Sequence, residues 1–196
     1  MKNYALNMLA KRIVSVAPLC ALVFSPAAFS QQKVLTRKSL EITLEEAVKC
    51  KNEALFSVGW MDPNTDDEDP KPSFRALGVE VTADVSSTLT KINYKFPRGV
   101  KVFGYEAREA KFFEGPTFIF YITLRTGSDN LRGINKTLRL RPASSHDQYH
   151  YGLFNEIDVR YIRKLSDDKD IPPDTILSGT VHQGNDIVIG CQNLAW

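Results

Sequence analysis

An alternation of apolar and polar residues with a period of two constrains this chain most strongly; it starts after Phe74 and recurs along the remaining sequence. Such alternation is typical of antiparallel strands with one buried and one solvated face. The segment PTFIFYITLR, residues 116–125, is apolar on both faces at its centre, which predicts a central strand. The segments that we interpret as strands are 75–85, 91–96, 100–107, 116–125, 137–141, 156–162, 175–181 and 186–191. Gly184 and Asn185 predict a tight hairpin between the last two.

A helix is predicted ahead of the strands. Thr43 and Glu46 have the spacing of a capping box, and residues 43–56 are rich in helix-forming residues. Leu44, Ala47, Val48 and Leu55 make an apolar stripe at helical spacing. Helix and strands together predict the α+β class: an N-terminal helix followed by an antiparallel β domain of about seven to eight strands, either sandwich-like or a sheet wrapped around the helix.

The first 30 residues have the three-part pattern of a cleaved secretory signal. They carry basic but no acidic residues, an apolar run over 13–24, and a small-x-small site at Ala28, Phe29 and Ser30. The apolar run is shorter than the roughly 20 residues that span a bilayer. We therefore expect residues 1–30 to be removed, leaving 31–196 as a single globular domain without a transmembrane anchor. An uncleaved amphipathic helix is the alternative.

Two cysteines, Cys50 and Cys191, follow the predicted signal. In an exported chain, two cysteines most simply form one disulfide, here between residues 141 positions apart. Cys191 shares a strand face with Ile187 and Ile189, so it is predicted to point toward the core and meet the helix that carries Cys50. Two unpaired buried thiols are the alternative. The disulfide favours the periplasm as the compartment, with extracellular release as the alternative.

Net charge and composition restrict the partners. The formal charge of +2 for the whole chain becomes −1 for 31–196, so no nucleic-acid binding is predicted. Residues 61–72 form an acidic, proline-rich loop in which Asp62, Asn64 and Asp66 match the first positions of an EF-hand. Asp67 and Ser73 then stand where that motif requires Gly and Glu, so calcium binding is not predicted. No cofactor is predicted.

Two histidines, His146 and His150, are the best candidates for metal ligands. Their separation of four residues would place both imidazoles on one face of a helix, where zinc or copper could bind. Pro142 and Gly152 favour a loop instead, in which that spacing carries little meaning. No catalytic residue is predicted, because adjacent residues such as Ser145, His146 and Asp147 cannot form a triad and no nucleophile elbow is present.

A cluster of basic residues in the middle of the chain is the best candidate for binding a partner. The residues assigned to partner binding are Arg125, Arg139, Arg141, Tyr149 and Tyr151. The arginines favour an anionic partner, either a protein surface or an envelope component; an ordinary solvated strand face is the alternative. The hypothesis is an exported, non-catalytic interaction protein, such as an inhibitor, an immunity-type protein or an envelope accessory. The alternative is a small envelope hydrolase or metal-dependent enzyme that uses His146 and His150.

Overall fold

The computed structural model describes residues 36–59, 72–85, 89–115, 117–127, 130–151, 157–166, 174–182 and 184–193. The predicted signal peptide, and the acidic loop apart from Pro72, lie outside these residues. Among the described helices, none combines the length and the apolar character needed to cross a membrane.

Five helices and nine strands are present in the described residues. The helices are α1 (Arg37–Val48), α2 (Asn52–Gly59), α3 (Pro72–Arg75), α4 (Leu131–Leu138) and α5 (Ser145–Tyr151). The strands are β1 (Glu80–Val85), β2 (Thr90–Lys95), β3 (Lys101–Val102), β4 (Tyr105–Glu114), β5 (Phe118–Leu124), β6 (Arg141–Pro142), β7 (Ile157–Lys164), β8 (Thr175–Val181) and β9 (Ile187–Asn193).

All described strand pairs are antiparallel, in the order β1-β2-β4-β5-β9-β8-β7-β6, with β3 paired to β4. The expectation of an α+β chain built mainly from antiparallel sheet is therefore confirmed, although the structure has several helices where one was expected. β5 lies inside the sheet between β4 and β9, as its doubly apolar sequence predicted. β8 and β9 form the predicted hairpin. The sheet ends at β1 on one side and at β6 on the other.

The first helix begins earlier and ends earlier than predicted. Thr36 is its N-cap and forms a reciprocal capping box with Ser39, so Thr43 lies inside α1 rather than at its start. The backbone turns at Cys50, whose φ is +60°, and α2 begins two residues later. Two short helices therefore replace the single helix expected over residues 43–56. The buried side of α1 packs against β5 and β9.

The predicted pair Cys50 and Cys191 forms a disulfide, with the two Cα atoms 5.3 Å apart. Both cysteines are buried. Cys191 lies opposite Phe120 in the β5–β9 register, on the face of the sheet that packs against α1. The bond therefore fastens the turn between α1 and α2 to the interior strand β9.

The two faces of the sheet differ in how many apolar side chains they bury. The helix-covered face supplies the larger core, in which Phe120 and Ile122 pack with residues of α1, and the Tyr94 hydroxyl donates to the carbonyl of Val58. The opposite face carries a smaller cluster formed by Phe113, Ile119, Tyr121 and Val188. Lys91 lies 5.2 Å from the centroid of the Phe113 ring, and Lys111 lies 5.8 Å from that of Tyr121.

Three predicted strands differ in the structure. The segment over 100–107 is divided into β3 and β4 by a turn at Phe103 and Gly104, both with positive φ, and β4 continues to Glu114. The segment over 137–141 is not a strand, because α4 continues to Leu138, Arg139 is left-handed with φ +56°, and only Arg141 and Pro142 are in a strand. In β7, the register shifts between Val159 and Tyr161. That irregularity ends the simple alternation, so Val159 and Ile162 are buried and Tyr161 is half-buried.

Candidate functional site

The segment that the sequence predicted as a polar loop contains helix α5. Ser144 precedes this helix, and its hydroxyl oxygen accepts the Asp147 N–H at 3.1 Å. The Asp147 carboxylate in turn accepts from the Ser144 N–H at 3.0 Å and from the Ser144 hydroxyl at 2.8 Å. This reciprocal pair is a capping box, which satisfies backbone donors at the start of the helix. The loop prediction is therefore wrong for residues 145–151.

Asp147 also holds two basic side chains. Its carboxylate is 5% exposed and accepts from the Arg141 guanidinium at 3.1 Å, and the Lys164 ammonium lies 3.9 Å away. Burial by itself would raise the pKa of Asp147. The Ser144 hydrogen bonds and the Arg141 charge outweigh that effect and hold the pKa below its ordinary value. A buried carboxylate that stays charged thus positions cations from β6 and β7.

Basic side chains collect around the β6 end of the sheet, and we call this surface the basic edge. Its members are exposed and come from the end of α4, from β6 and from β7: Lys136, Arg139, Arg141, Arg160, Arg163 and Lys164. Arg163 donates to the Leu138 carbonyl at 3.5 Å, which joins β7 to the end of α4. The main chain of β7 also bonds to the residue that follows β6, because the Arg160 carbonyl accepts the Ala143 N–H at 2.9 Å.

Among the described residues of α4, β6, α5 and β7, basic side chains outnumber acidic ones. Residues 130–151 and 157–166 contain seven basic residues and two acidic ones, Asp147 and Asp158. Asp147 is buried in the capping box, and Asp158 lies 3.1 Å from the ring of His182. Within the described part of the chain, Lys136, Arg139 and Arg160 form no ion pair. A third described acid, Asp174, accepts the Leu165 N–H through its main-chain carbonyl at the end of β7. Even with Asp174 included, positive charges exceed negative ones in this described part of the chain.

The structure places the predicted partner-binding residues differently. Arg139 and Arg141 both lie at the basic edge, on either side of Leu140, although not as neighbours on one strand face. Arg125 follows β5 and lies 3.7 Å from Glu106, so it is engaged in an ion pair. Tyr149 and Tyr151 lie in α5, and their side chains are outside the described set.

The predicted metal ligands are only partly described. His146 is exposed in the first turn of α5, and the side chain of His150 lies outside the described residues. Within the described residues, no group of three or more potential ligand side chains of His, Cys, Asp or Glu comes together. Two further candidate ligands, Asp158 and His182, contact each other at 3.1 Å. Metal binding at His146 and His150 stays a prediction.

Sequence reasoning missed three members of the basic edge, Arg160, Arg163 and Lys164. The signal was present in β7, where RYIRK carries three cations and no acid. It also missed the role of Asp147, although Ser144 and Asp147 have capping-box spacing.

A buried polar pair lies beneath α4, where the Ser178 hydroxyl donates to the Asn135 side-chain oxygen at 2.6 Å. This hydrogen bond contributes to the contact between α4 and β8. It leaves the exposed side of α4, including Lys136, free to face solvent.

Comparisons of the chain with protein-family models, with curated proteins and with solved structures find no match.

Proposed function

We propose that this chain is an exported, non-catalytic interaction protein that binds an anionic partner through the basic edge. The observation that carries the proposal is the charge imbalance among the described residues 130–151 and 157–166, where seven basic residues stand against two acidic ones and both acids contact other side chains. Cations held on regular elements steer and orient an acidic surface at little ordering cost. An acidic protein surface or an anionic envelope polymer fits this chemistry.

The proposal retains the expectations about export. Residues 1–30 act as a cleaved signal and 31–196 form the mature domain, located in the periplasm or, alternatively, outside the cell. The Cys50–Cys191 disulfide supports an oxidising compartment, because such bonds persist in exported proteins and are rare in the cytosol.

Matched charge reversals test the binding surface. The basic-edge variant combines Lys136→Glu, Arg139→Glu and Arg160→Glu, three exposed residues without an ion pair in the described chain. The control combines Lys51→Glu, Arg98→Glu and Lys101→Glu, which are also exposed and change the net charge equally. Each protein is immobilised in oxidised form and exposed to envelope and culture-fluid extracts, and bound material is identified by mass spectrometry.

We expect the wild-type chain and the control to retain the same partner, and the basic-edge variant to bind it at least about tenfold more weakly. Binding should also weaken as salt rises, because salt screens exposed charges. If both variants retain the partner equally, the basic edge is not the surface that binds it. If the wild-type chain retains nothing, the enzyme hypothesis gains weight.

One observation favours a second function, metal-dependent catalysis at His146 and His150. Because residues 145–151 are helical rather than a loop, positions 146 and 150 are separated by about one helical turn. Zinc and copper titrations of the wild-type chain and of His146→Ala with His150→Ala test this alternative. Stoichiometric binding that the double substitution abolishes would support an enzyme; equal, weak binding by both would count against it.

A further inference from the structure

The two ends of the sheet differ in how well they resist the addition of another strand. β6 has only two residues, and its Pro142 has no N–H to donate. Short edge strands and edge prolines block strand addition. β1 has six residues and no proline, and no strand of the described residues pairs with its outer side. The less protected edge is therefore β1, at the end of the sheet opposite the basic edge.

Hydrogen bonds show which backbone groups of β1 face outward. The Phe96 N–H donates to the Arg108 carbonyl at 3.0 Å, so the backbone groups of Phe96 face β4. Backbone groups of successive strand residues face opposite sides, so those of Lys95 face β1. The backbone groups of its register partner Glu80 therefore face β2, and those of Val81 and Ala83 face away from the sheet. In agreement, the Val81 carbonyl accepts from the Arg75 guanidinium at 2.8 Å rather than from a strand. Beyond Val81, the outward groups belong to Ala83 and Val85.

The side chains of this edge are acidic on the face opposite the helices. Glu80 and Asp84 lie on that face, four residues apart, opposite Lys95 and Lys91 of β2. Glu80 is 3.2 Å from Lys95. Lys91 instead lies over the Phe113 ring, and Asp84 has no ion pair within the described residues. A strand added outside β1 would therefore meet an exposed carboxylate with which a cation of that strand can pair.

We propose that the outer edge of β1 binds an extended basic segment of another protein, which adds to the sheet as a further strand. Backbone hydrogen bonds to Ala83 and Val85 supply the affinity, and two cations four residues apart, opposite Glu80 and Asp84, supply the selectivity. The sheet already contains this arrangement once, in Lys91 and Lys95 of β2. The inference goes beyond the basic edge, which lies at the other end of the sheet.

A second copy of the chain fits this edge poorly. Antiparallel pairing of β1 with itself would bring Glu80 and Asp84 of both copies onto one face, in opposite or diagonal positions. Like charges so placed are destabilising. A partner with the reverse charge pattern avoids this repulsion.

A synthetic peptide with the sequence of residues 89–96, capped at both ends, serves as the probe because it carries the required spacing of lysines. The control peptide replaces both lysines by glutamate. Each is titrated into the oxidised, isotopically labelled full chain, and the amide signals of β1 are followed by NMR. We expect the lysine peptide to shift the Ala83 and Val85 signals, and the glutamate peptide to bind at least about fivefold more weakly.

Substitutions at β1 localise the effect. Ala83→Pro removes an outward N–H without altering the β1–β2 ladder and should abolish binding, whereas Ala83→Thr keeps the N–H and should bind normally. Glu80→Lys combined with Asp84→Lys should reverse the preference so that the glutamate peptide binds better, which a merely unfolded variant would not do. The proposal fails if the lysine peptide does not bind, if Ala83→Pro binds it unchanged, or if the chain dimerises through β1.

Discussion

At the scale of single residues, Asp147 shows how one side chain can look functional in sequence and be explained by structure. In the sequence it stands next to a serine and a histidine, in a segment with residues common in active sites. In the structure its carboxylate closes the capping box of α5 and binds Arg141. The pattern Ser144-x-x-Asp147 was available in the sequence. It was passed over because Pro142 and the serines also fit a loop.

Replacing Asp147 by asparagine should destabilise the protein by about 1–3 kcal/mol at neutral pH, because charged hydrogen bonds to a buried group are lost. The folded pKa of Asp147 is lowered from 3.8, so its charge stabilises the folded state at higher pH. The difference in the free energy of unfolding between wild type and variant should be largest above about pH 5. It should disappear as pH falls through the folded pKa of Asp147. Urea unfolding at several pH values measures it.

Asp158→Asn is the matched control, since that carboxylate is exposed and paired with His182 at 3.1 Å. An exposed pair contributes roughly 0–1 kcal/mol, so little change is expected. A difference for Asp147→Asn that stays constant down to about pH 2 would contradict the charged role of Asp147.

At the scale of elements, the alternating pattern identified most strands but failed where two periods overlap. Leu138-Arg139-Leu140-Arg141 alternates like a strand, yet Leu131, Ile134 and Leu138 have helical spacing and form the buried side of α4. The segment forms a helix because the longer helical pattern buries these three side chains in the larger core. β5 was predictable because its residues are apolar on both faces. The bulge in β7 was not, since nothing in its sequence marks it.

The approach of β5 to β9 depends on a glycine. A Cβ placed on Gly190 would meet the Phe120 carbonyl oxygen and lie 2.7 Å from the Tyr121 Cβ. We expect Gly190→Ala to destabilise the protein by about 2–4 kcal/mol through overpacking of two interior strands. Gly127→Ala is the control, because no atom lies within 4 Å of its Cβ position. Thermal unfolding of both variants measures the difference; equal melting temperatures would contradict the close approach.

At the scale of the whole molecule, the number of cysteines predicted a long-range contact, the Cys50–Cys191 disulfide. The alternation of apolar and polar residues could not predict such a contact. Alternation indicated antiparallel strands, but the order of strands in the sheet depends on contacts between distant segments and could not be predicted. The candidate site was predictable only in part: its arginines were visible, whereas their meeting with β7 required the paired register of β6 and β7. The disulfide gave the one tertiary contact that the sequence specified directly.

Removing the disulfide should destabilise the protein strongly. For residues 141 positions apart, the loss of loop-closure entropy corresponds to about 5 kcal/mol. Cys50→Ala with Cys191→Ala should lower the free energy of unfolding by about 3–5 kcal/mol. Denaturant unfolding compares this variant with the oxidised wild type. Wild type treated with a reductant is the second reference, and a reduced protein as stable as the oxidised one would contradict this account.

The position of β9 has a consequence for the order of biosynthesis. β9 is the last described strand to be made, yet it lies between β5 and β8, joining β1-β2-β4-β5 to β8-β7-β6. Until residues 187–193 have left the ribosome and any export channel, these two groups of strands have no shared neighbour. The sheet therefore completes only after the rest of the chain has emerged, and formation of the Cys50–Cys191 bond reports that moment.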